Sequence, residues 1–550
     1  MDESLNFIEA TIASDVQNQV YKEGTVTRFP PEPNGYLHLG HAKSICLNFG
    51  LASKFKGKVN LRFDDTNPVQ ENSDYVEAIK RDIRWLGFEW QNEFYTSDYF
   101  DTLYRLAVRL IKIGLAYVDD STSEEIAQQK GTPQVAGVVN QYRERPVDEN
   151  LLLFESMRLG QFGDGEKVLR AKIDMAAANM QMRDPIMYRI KHSPHHRTGT
   201  KWCIYPLYDF AHGQSDAIEH VSHSTCTLEF VAHRPLYNWF ISKLELFPSK
   251  QIEFARLNLA YTVMSKRKLK QLVENGCVDG WDDPRLPTIA GLRRRGYTPH
   301  AIRDFCERIG ISKRDSITDY SLLEFCVRED LNKSAKRRIA VSKPVKVIIT
   351  NYPHAATEYI TIENLPGDKT KGSRKVPFDK HLWIEQDDFM EHPSKDYFRL
   401  APGGMVRLKG AYIIQCEAIV KDQDGKIIEI LCKYFPETKS GSNQENIKVK
   451  STIHWLSINH AVPTEIRVYD KLFDVEDPSQ LGKEYIKHLN PKSIQVLQNA
   501  YVEKDLVSED HPDEHFQFIR LGYFIKDKYA KTDHLIFNQT VGLKDGWKKT

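Results

Sequence analysis

Two imidazoles three residues apart, His38 and His41, flank Leu39 and Gly40 in the run RFPPEPNGYLHLGHAKS at residues 28–44. Imidazole N–H groups can donate to phosphate oxygens and stabilise charge that develops on a transferring phosphoryl group. Gly40 has no Cβ, so a ligand ring can approach the backbone beside them. The same pair could be half of a metal site, which would need a third ligand that the sequence does not obviously supply. A second group is Lys266, in VMSKRKL at 263–269. An ammonium on a short loop is a mobile point charge for phosphate. Taken alone, Lys266, Arg267, Lys268 and Lys270 read equally as a solvated basic face. Asp64, in FDDTNP, can pair with a substrate ammonium or can cap a turn. Cys226, in HSTCTLEF, is a small thiol with either packing value or a place in a pocket wall.

The surrounding elements must position these groups. Gly24 to Phe29 reads as a strand, and HAKSICLNFGLASKF carries apolar residues at helical spacing. Val59 to Phe63 reads as the next strand, and SDYVEAIKRDIRWLGF as the next helix, with Ser73 or Asp74 as its N-cap. Strand, helix, strand, helix predicts a parallel sheet with right-handed crossovers. The histidine run then lies outside the carboxyl end of a strand, where such sheets bind nucleotides. It also opens a helix, whose free N–H groups and dipole favour phosphate.

Residues from about 100 to 207 are less regular and read as an insertion. They hold helical runs (YFDTLYRLAVRLIKIGLAY, DENLLLFESMRLG) and a strand pair around LRAKIDM and PIMYRI. Strand and helix texture resumes near Cys203 to Phe210, and ARLNLAYTV predicts a strand just before Lys266. Residues 264 to about 335 read as helical and basic. From about 340, short β-rich runs such as VKVIIT, MVRLKGAYIIQCEAIV and TEIRVYDKLF predict barrels or sandwiches, and ETKSGSNQEN an exposed loop.

Composition narrows the class. Apolar residues are 41% and charged residues 27% of 550, which excludes disordered and collagen-like chains. No run approaches about 18 apolar residues, so no membrane span is expected. The start, MDESLNFIEA, lacks a basic segment followed by an apolar one, so a cytoplasmic protein is expected. The eight cysteines have no zinc or redox spacing and are expected to be reduced thiols. With 76 basic against 75 acidic residues, net charge decides nothing about nucleic acid. Local clusters do: Arg293, Arg294 and Arg295, then Lys333, Lys336, Arg337 and Arg338, suit phosphate contacts, though each cluster alone is also an ordinary charged face.

HLGH after the first strand and MSK after a late one together resemble the signatures of the class I aminoacyl-tRNA synthetases. Val263 and Arg267 depart from the ends of the second signature, while Met264, Ser265 and Lys266 keep its core. LRFDDTNP, WCIYPLYDFAH, HSTCTLEF, GWDDPRLPTIAGLRRRGY and NQTVGLKDGW narrow the resemblance to the glutamyl/glutaminyl subfamily over nearly the whole chain, and to its glutamine-specific branch. The closest competing branch is the glutamyl type with a β-barrel anticodon region.

The resemblance implies an α/β fold: a Rossmann-like parallel-sheet catalytic domain with an acceptor-binding insertion, a helical subdomain and two C-terminal β-barrels. The implied boundaries are 1–98 and 208–262 for the catalytic halves, 99–207 for the insertion, 263–337 for the helical subdomain with the MSK loop, and 338–550 for the barrels. It implies ATP-dependent attachment of glutamine to its tRNA through glutaminyl-adenylate, with tRNA bound before activation. The glutamate reaction of the β-barrel glutamyl type is the alternative. Mg²⁺ would accompany ATP, with no protein-held metal. A monomer is expected, with ATP, glutamine and tRNA as partners and no membrane.

By motif match, His38, His41 and Lys266 are the implied catalytic groups. ATP would meet Glu32, Pro33, Asn34, His38, Leu39, Gly40, His41, Ala42, Lys43, Ser44, Thr227, Arg256, Leu257, Met264, Ser265 and Lys266. Glutamine would meet Asp64, Tyr208 and Cys226. Cys226 stands where glutamyl relatives carry an Arg, so a cation for a side-chain carboxylate is absent there. Arg337, Arg399, Gln517 and Arg520 match anticodon readers, which suit exposed single-stranded bases. Ala232, Asp396, Phe398 and Lys409 depart from relatives and leave individual base contacts open. No role is assigned to residues before about 20.

Overall fold

The structure is a computed structural model that describes residues 5–69, 73–353, 356–441, 447–507 and 513–544. The chain forms two compact units: Met1–Asn258 with Cys306–Thr318, and Leu259–Phe305 with Asp319–Thr550.

In the first unit, the strands Val26–Phe29, Lys58–Phe63 and Asn92–Tyr95 pair in parallel in that order. The helices Leu39–Lys54 and Ser73–Trp85 cross between them. The residues before Ser73 that would cap the second helix lie outside the described residues. A second parallel pair, His223–Thr227 and Lys250–Phe254, continues on the other side of the first strand. Ser222 makes the join: its N–H donates to the Val26 carbonyl (3.0 Å), and its Oγ accepts from the Val26 N–H (2.8 Å). The first strand is therefore central, and connections leave it towards both sides. That is the switch point at which open α/β sheets leave a crevice for ligands.

The residues before 20 brace this sheet. The helix Phe7–Gln17 starts with a capping box from Asn6 and Glu9. Its Ile8 and Ile12 pack with Leu47, Leu51 and Phe254. Asp15 accepts from Lys250 Nζ (2.6 Å) and meets His223 Nε2 (3.0 Å).

The insertion is a four-stranded antiparallel sheet of Ala116–Asp119, Val168–Ala171, Ile186–Ile190 and Ile204–Pro206. The helices Phe100–Lys112 and Val147–Arg158 cover it through Leu103, Leu110, Phe154 and Met157. The run Cys203 to Phe210 thus divides. Ile204–Pro206 completes the antiparallel sheet, and Tyr208 begins a helix to Ile218. ARLNLAYTV yields only the short strand Asn258–Leu259, because the chain turns to follow other partners after Phe254.

The second unit carries the helices Lys266–Glu274, Ile289–Arg295 and Tyr320–Ser334, followed by two seven-stranded sheets. One sheet runs Thr452–Ile453, Met405–Leu408, Ile413–Lys421, Ile427–Phe435, Pro344–Ile349, His381–Glu385, Leu456–Ser457. Its two edges belong to one short segment, 452–457. The other runs Lys336–Arg338, His515–Phe518, Gly522–Lys526, Leu535–Val541, Val462–Tyr469, Ile494–Val502, Ala340–Val341. Here only Ile339 separates the two edges. Each sheet therefore curls until one segment pairs with both of its ends, which closes a barrel and removes exposed edges. Among the described residues no helix is long and apolar enough to cross a membrane.

Two buried carboxylates fix the segment between the barrels. Glu503 accepts from the Ile339 N–H and forms a bidentate pair with Arg374 at 2.5 Å. Glu385 accepts from the N–H groups of Ser342 (2.6 Å) and Lys343 (3.0 Å). Trp455 closes the first barrel: it is fully enclosed, packs edge-on against Phe378 and donates Nε1–H to the Lys409 carbonyl (3.0 Å). Trp455→Ala is expected to cost roughly 3–5 kcal/mol of stability, read by urea unfolding. A loss below about 1 kcal/mol would show that this segment does not hold the barrel shut.

Candidate functional site

His38 is the N-cap of the helix Leu39–Lys54, and His41 is the third residue inside it. The two form a reciprocal cap. His38 Nδ1 accepts the N–H of Gly40 (3.1 Å), and His41 Nδ1 accepts the N–H of His38 (3.1 Å). The rings lie 3.9 Å apart between centroids. This is the capping-box pattern, with imidazoles in place of the usual hydroxyl and carboxylate. A ring nitrogen that accepts an N–H carries no proton, so each neutral ring holds its proton on Nε2. Helix formation thereby sets which nitrogen of each histidine is the donor. Gly40 serves this arrangement: a Cβ there would lie 2.9 Å from His38 Cε1 and 3.0 Å from Nδ1. The close protein neighbour of that position is the His38 ring itself.

A buried charge cluster joins the strands Val26–Phe29 and Lys58–Phe63 to the helix Tyr208–Ile218. Asp216, on the helix Tyr208–Ile218, accepts from Arg28 Nε (3.2 Å) and Arg62 Nη1 (2.8 Å) through Oδ1. Its Oδ2 accepts from Ser224 Oγ (2.6 Å) and Tyr237 Oη (3.1 Å). All three charged side chains are at most 1% exposed. Burial alone would raise the Asp216 carboxyl, but Arg28 and Arg62 outweigh it and hold the group below the carboxylate range. Burial, reinforced by the two arginines, pulls His212 down to about 3, so it is neutral at physiological pH. Glu219 sits 3.3 Å from Arg62, yet burial pushes it up to about 7.

Cys226 lies against this cluster. Its Sγ is 3.4 Å from Arg28 Nη2 and 3.7 Å from His212 Nε2. Burial raises its thiol pKa, so the sulfur is protonated and uncharged. Cys226 therefore borders a buried cation, Arg28, which shares Asp216 with Arg62. Tyr208 stacks on His212 at 4.9 Å and 12°. Asp64, 4% exposed, follows the strand Lys58–Phe63, and its N–H donates to the Pro31 carbonyl (3.0 Å). The acidic loop is thus tied to the loop that precedes the histidines.

The remaining expected residues of this unit fall into two groups. Asn34 donates to Glu32 (2.6 Å) in the loop, beside Pro33. Thr227 ends its strand, and Arg256 is exposed and paired with Glu229. These can face a ligand. Leu39, Ala42 and Leu257 are buried and face the interior, and Ser44 is half-buried. Lys43 is 6% exposed, and its Nζ donates to the Ala255 carbonyl (2.9 Å). Burial lowers its pKa, and it staples the helix to the 255–257 segment. The sequence reading missed Arg28, Arg62, His212, Asp216 and Glu219. The signal was present as arginines inside otherwise apolar strands, VTRF and VNLRF, which demand buried acidic partners.

In the second unit, Met264 and Ser265 lead into the helix that Lys266 opens. The loop has a firm base: Val263, Leu269 and Leu272 pack with Leu472, Phe473 and Tyr485. Lys268 Nζ donates to the Ser479 carbonyl (2.9 Å), and Tyr485 Oη donates to the Lys268 carbonyl (2.9 Å). The candidate nucleic-acid groups gather as two pairs. Arg337 and Gln517 are direct partners across adjacent parallel strands. Arg399 and Arg520 converge on Asp388, at 3.4 Å and in a bidentate pair at 2.5 and 2.6 Å. Of the departures from relatives, Phe398 is half exposed under Lys450, and the Ala232 carbonyl accepts from Asn179 (2.7 Å).

Residues 25–333 match the family model of tRNA synthetases class I (E and Q), catalytic domain. Residues 335–435 and 452–527 match two models of the anti-codon binding domain of the same group. The chain is 55% identical over 549 residues to a glutamine–tRNA ligase of Clostridium kluyveri, covering 99% of this chain and 98% of that one. It is 54% identical over 547 residues to one of Bradyrhizobium diazoefficiens (99% and 97%) and 52% identical over 549 residues to one of Clostridium perfringens (100% and 99%).

Gly40→Ala should displace the His38 ring and lower the rate of ATP–pyrophosphate exchange by roughly 10–100-fold, with little change in melting temperature. An unchanged rate would separate the cap from the chemistry. Glu219 gives a pH test. Between its ordinary pKa of 4.5 and about 7, the folded chain keeps a proton that the unfolded chain has released. Stability from this group is thus present below pH 4.5 and is lost as pH rises through 7. Relative to wild type, Glu219→Gln should gain stability from pH 5 to 8 by roughly 1–3 kcal/mol, measured by urea unfolding at each pH. A constant difference across that range would refute the buried titration.

Proposed function

This chain belongs to the class I tRNA synthetases for glutamate and glutamine, and we propose that its crevice joins glutamine to tRNA in two steps driven by one ATP. The glutamine carboxylate attacks the α-phosphate of ATP, giving glutaminyl-adenylate and pyrophosphate. The 2′-OH of the terminal adenosine of the tRNA then takes the aminoacyl group and releases AMP. ATP enters as its Mg²⁺ complex, with the ion on phosphate oxygens. The enzyme works as a cytoplasmic monomer.

The chain contributes positioning and electrostatics, with no covalent enzyme intermediate. His38 and His41 donate Nε2–H to phosphate oxygens as negative charge shifts onto pyrophosphate. Lys266 adds a mobile cation to the same phosphates. Glu32, Asn34, Thr227 and Arg256 hold the nucleotide, and Leu257 shapes the wall. Asp64 pairs with the substrate ammonium and so orients the carboxylate. Tyr208 and Cys226 receive the side-chain amide.

The observation that carries the choice of glutamine is the contact between uncharged Cys226 and an Arg28 whose guanidinium is already bonded to Asp216, Ser224 and the Thr225 carbonyl. A glutamate carboxylate there would lose its hydration without gaining an unpaired cation. A neutral amide carries no such penalty. At the other end of the chain, Arg337, Gln517, Arg399 and Arg520 read anticodon bases, supported by their pairing on neighbouring strands and around Asp388. The insertion binds and opens the acceptor end. Its loop at 131–139 suits that role, because Val135, Val138 and Val139 are more than half exposed while Arg183 holds the carbonyls of Lys130, Thr132 and Val135.

Aminoacylation of a glutamine tRNA with ATP, comparing glutamine and glutamate, tests this reading. Charging with glutamine alone is expected. Comparable charging with glutamate would overturn the specificity argument, and charging with neither would overturn the ligase reading. Lys266→Ala should slow activation by roughly 100-fold or more while glutamine affinity changes little. Equal loss of both would remove Lys266 from the transition state.

A further inference from the structure

Asp65 follows the carboxylate assigned to the substrate ammonium and is itself wholly enclosed. Oδ1 accepts the Ser97 N–H (2.8 Å), and Oδ2 accepts the Ser97 hydroxyl (2.6 Å) and meets His196 Nε2 (3.0 Å). Its main-chain carbonyl meets His195 Nε2 at 2.7 Å. His195 Nδ1 accepts the N–H of Arg197 (3.2 Å) and Thr198 (3.3 Å), which places the ring proton on Nε2 and makes the carbonyl contact a donated bond. The ligating atoms of Asp65, His195 and His196 lie within 4.8 Å of one another, as in a metal cluster. Metal binding needs lone pairs, and both nitrogens of His195 are already engaged in hydrogen bonds. The arrangement is that of a latch.

The latch joins three segments. Asp65 belongs to the loop after the central strand pair, Ser97 to the turn after Asn92–Tyr95, and the histidines to a tight turn of the insertion in which His195 and Gly199 bond each other's backbone (2.9 Å both ways). Arg197 reinforces it, with Nη1 on Ser97 Oγ (3.0 Å) and Asp98 (2.7 Å) and its guanidinium over the Tyr95 ring. Asp64 is gripped by its N–H at Pro31 on one side and by its successor on the other. The peptide between residues 64 and 65 is fixed from both ends.

We propose that Asp65, Ser97, His195 and His196 are positioning residues for the ammonium site: they touch no substrate, but they hold the Asp64 carboxylate where it meets the α-amino group of glutamine. The inference rests on the reading of Asp64 as that carboxylate. It makes the insertion a structural part of amino-acid binding. Loosening the latch frees Asp64, while the nucleotide loop and the histidine cap keep their own hydrogen bonds.

The test is ATP–pyrophosphate exchange by the full chain with glutamine tRNA present, reading KM for glutamine and for ATP together with the melting temperature. His196→Ala should raise the glutamine KM by roughly 10–100-fold and leave the ATP KM within about twofold. His196→Gln, whose amide N–H can reach the Asp65 oxygen, should restore most of the loss. Ser97→Ala, which removes one hydroxyl donor and keeps the N–H, should shift the glutamine KM the same way by less. An unchanged glutamine KM would overturn the proposal. So would parallel loss for glutamine and ATP with a fallen melting temperature and no rescue by Gln, which is what a merely structural role gives. Asp64→Asn separates the two claims. If it leaves the glutamine KM unchanged, the ammonium reading fails and takes the latch with it. If it raises that KM while His196→Ala does not, only the latch fails.

Discussion

Asp216 allows two arginines to remain inside the sheet. Arg28 and Arg62 leave the strands Val26–Phe29 and Lys58–Phe63, Asp216 leaves the helix Tyr208–Ile218, and Ser224 and Cys226 leave His223–Thr227. One carboxylate thus ties together the elements whose carboxyl ends surround the crevice. Taking such charges out of water is costly, and only dense hydrogen bonding offsets the cost. Here Asp216 has four side-chain partners and Arg28 also donates to the Thr225 carbonyl (2.7 Å). Arg28 uses its donors inside this cluster, on Asp216, Ser224 and the Thr225 carbonyl.

The histidine cap merges two events in a similar way. A helix N-terminus needs acceptors for its first N–H groups. His38 and His41 supply them through Nδ1, and that duty leaves the proton on Nε2. No separate device is needed to choose the tautomer. The fold itself thus sets which ring nitrogens can donate. Lys266 is different in kind. It sits at the start of a helix whose base is packed.

Local signals made much of this legible in the sequence. The parallel strands, their crossover helices and the histidine loop follow from period, turn residues and polarity read over short windows. So do Lys266 at a helix start and the β-rich end of the chain. What escaped depends on contacts between distant residues. Ile204–Pro206 falls inside the expected insertion at 99–207, but its antiparallel pairing with Ile186–Ile190 shows only in the fold. Arg28 and Arg62 lie 34 positions apart, and their common partner Asp216 lies on a helix more than 150 positions further on. Gly40 was legible as a glycine position, but the close approach of the His38 ring to it was not. Lys43 and Leu257, which a motif places in the nucleotide loop and its neighbour, also have buried side chains, and Lys43 Nζ bonds the Ala255 carbonyl.

Barrel closure has a consequence for synthesis. The barrel that holds Gln517 and Arg520 draws its two edges from residues 336–341 but its remaining strands from residues 462–541. The other barrel, built from residues 344–457, lies between them in the chain. On the ribosome, the inner barrel has all its strands well before the outer one does. Residues 336–341 must then wait beside a finished neighbour for their strand partners until Ile494–Val502 and His515–Phe518 emerge. Glu385 and Glu503 belong to opposite sides of that interval: Glu385 can secure Ser342 and Lys343 early, whereas Ile339 gains Glu503 only after 502 residues have passed. A nascent chain stalled in this window would display an open strand end, and that is the stage at which the protein is most exposed to mispairing with another copy.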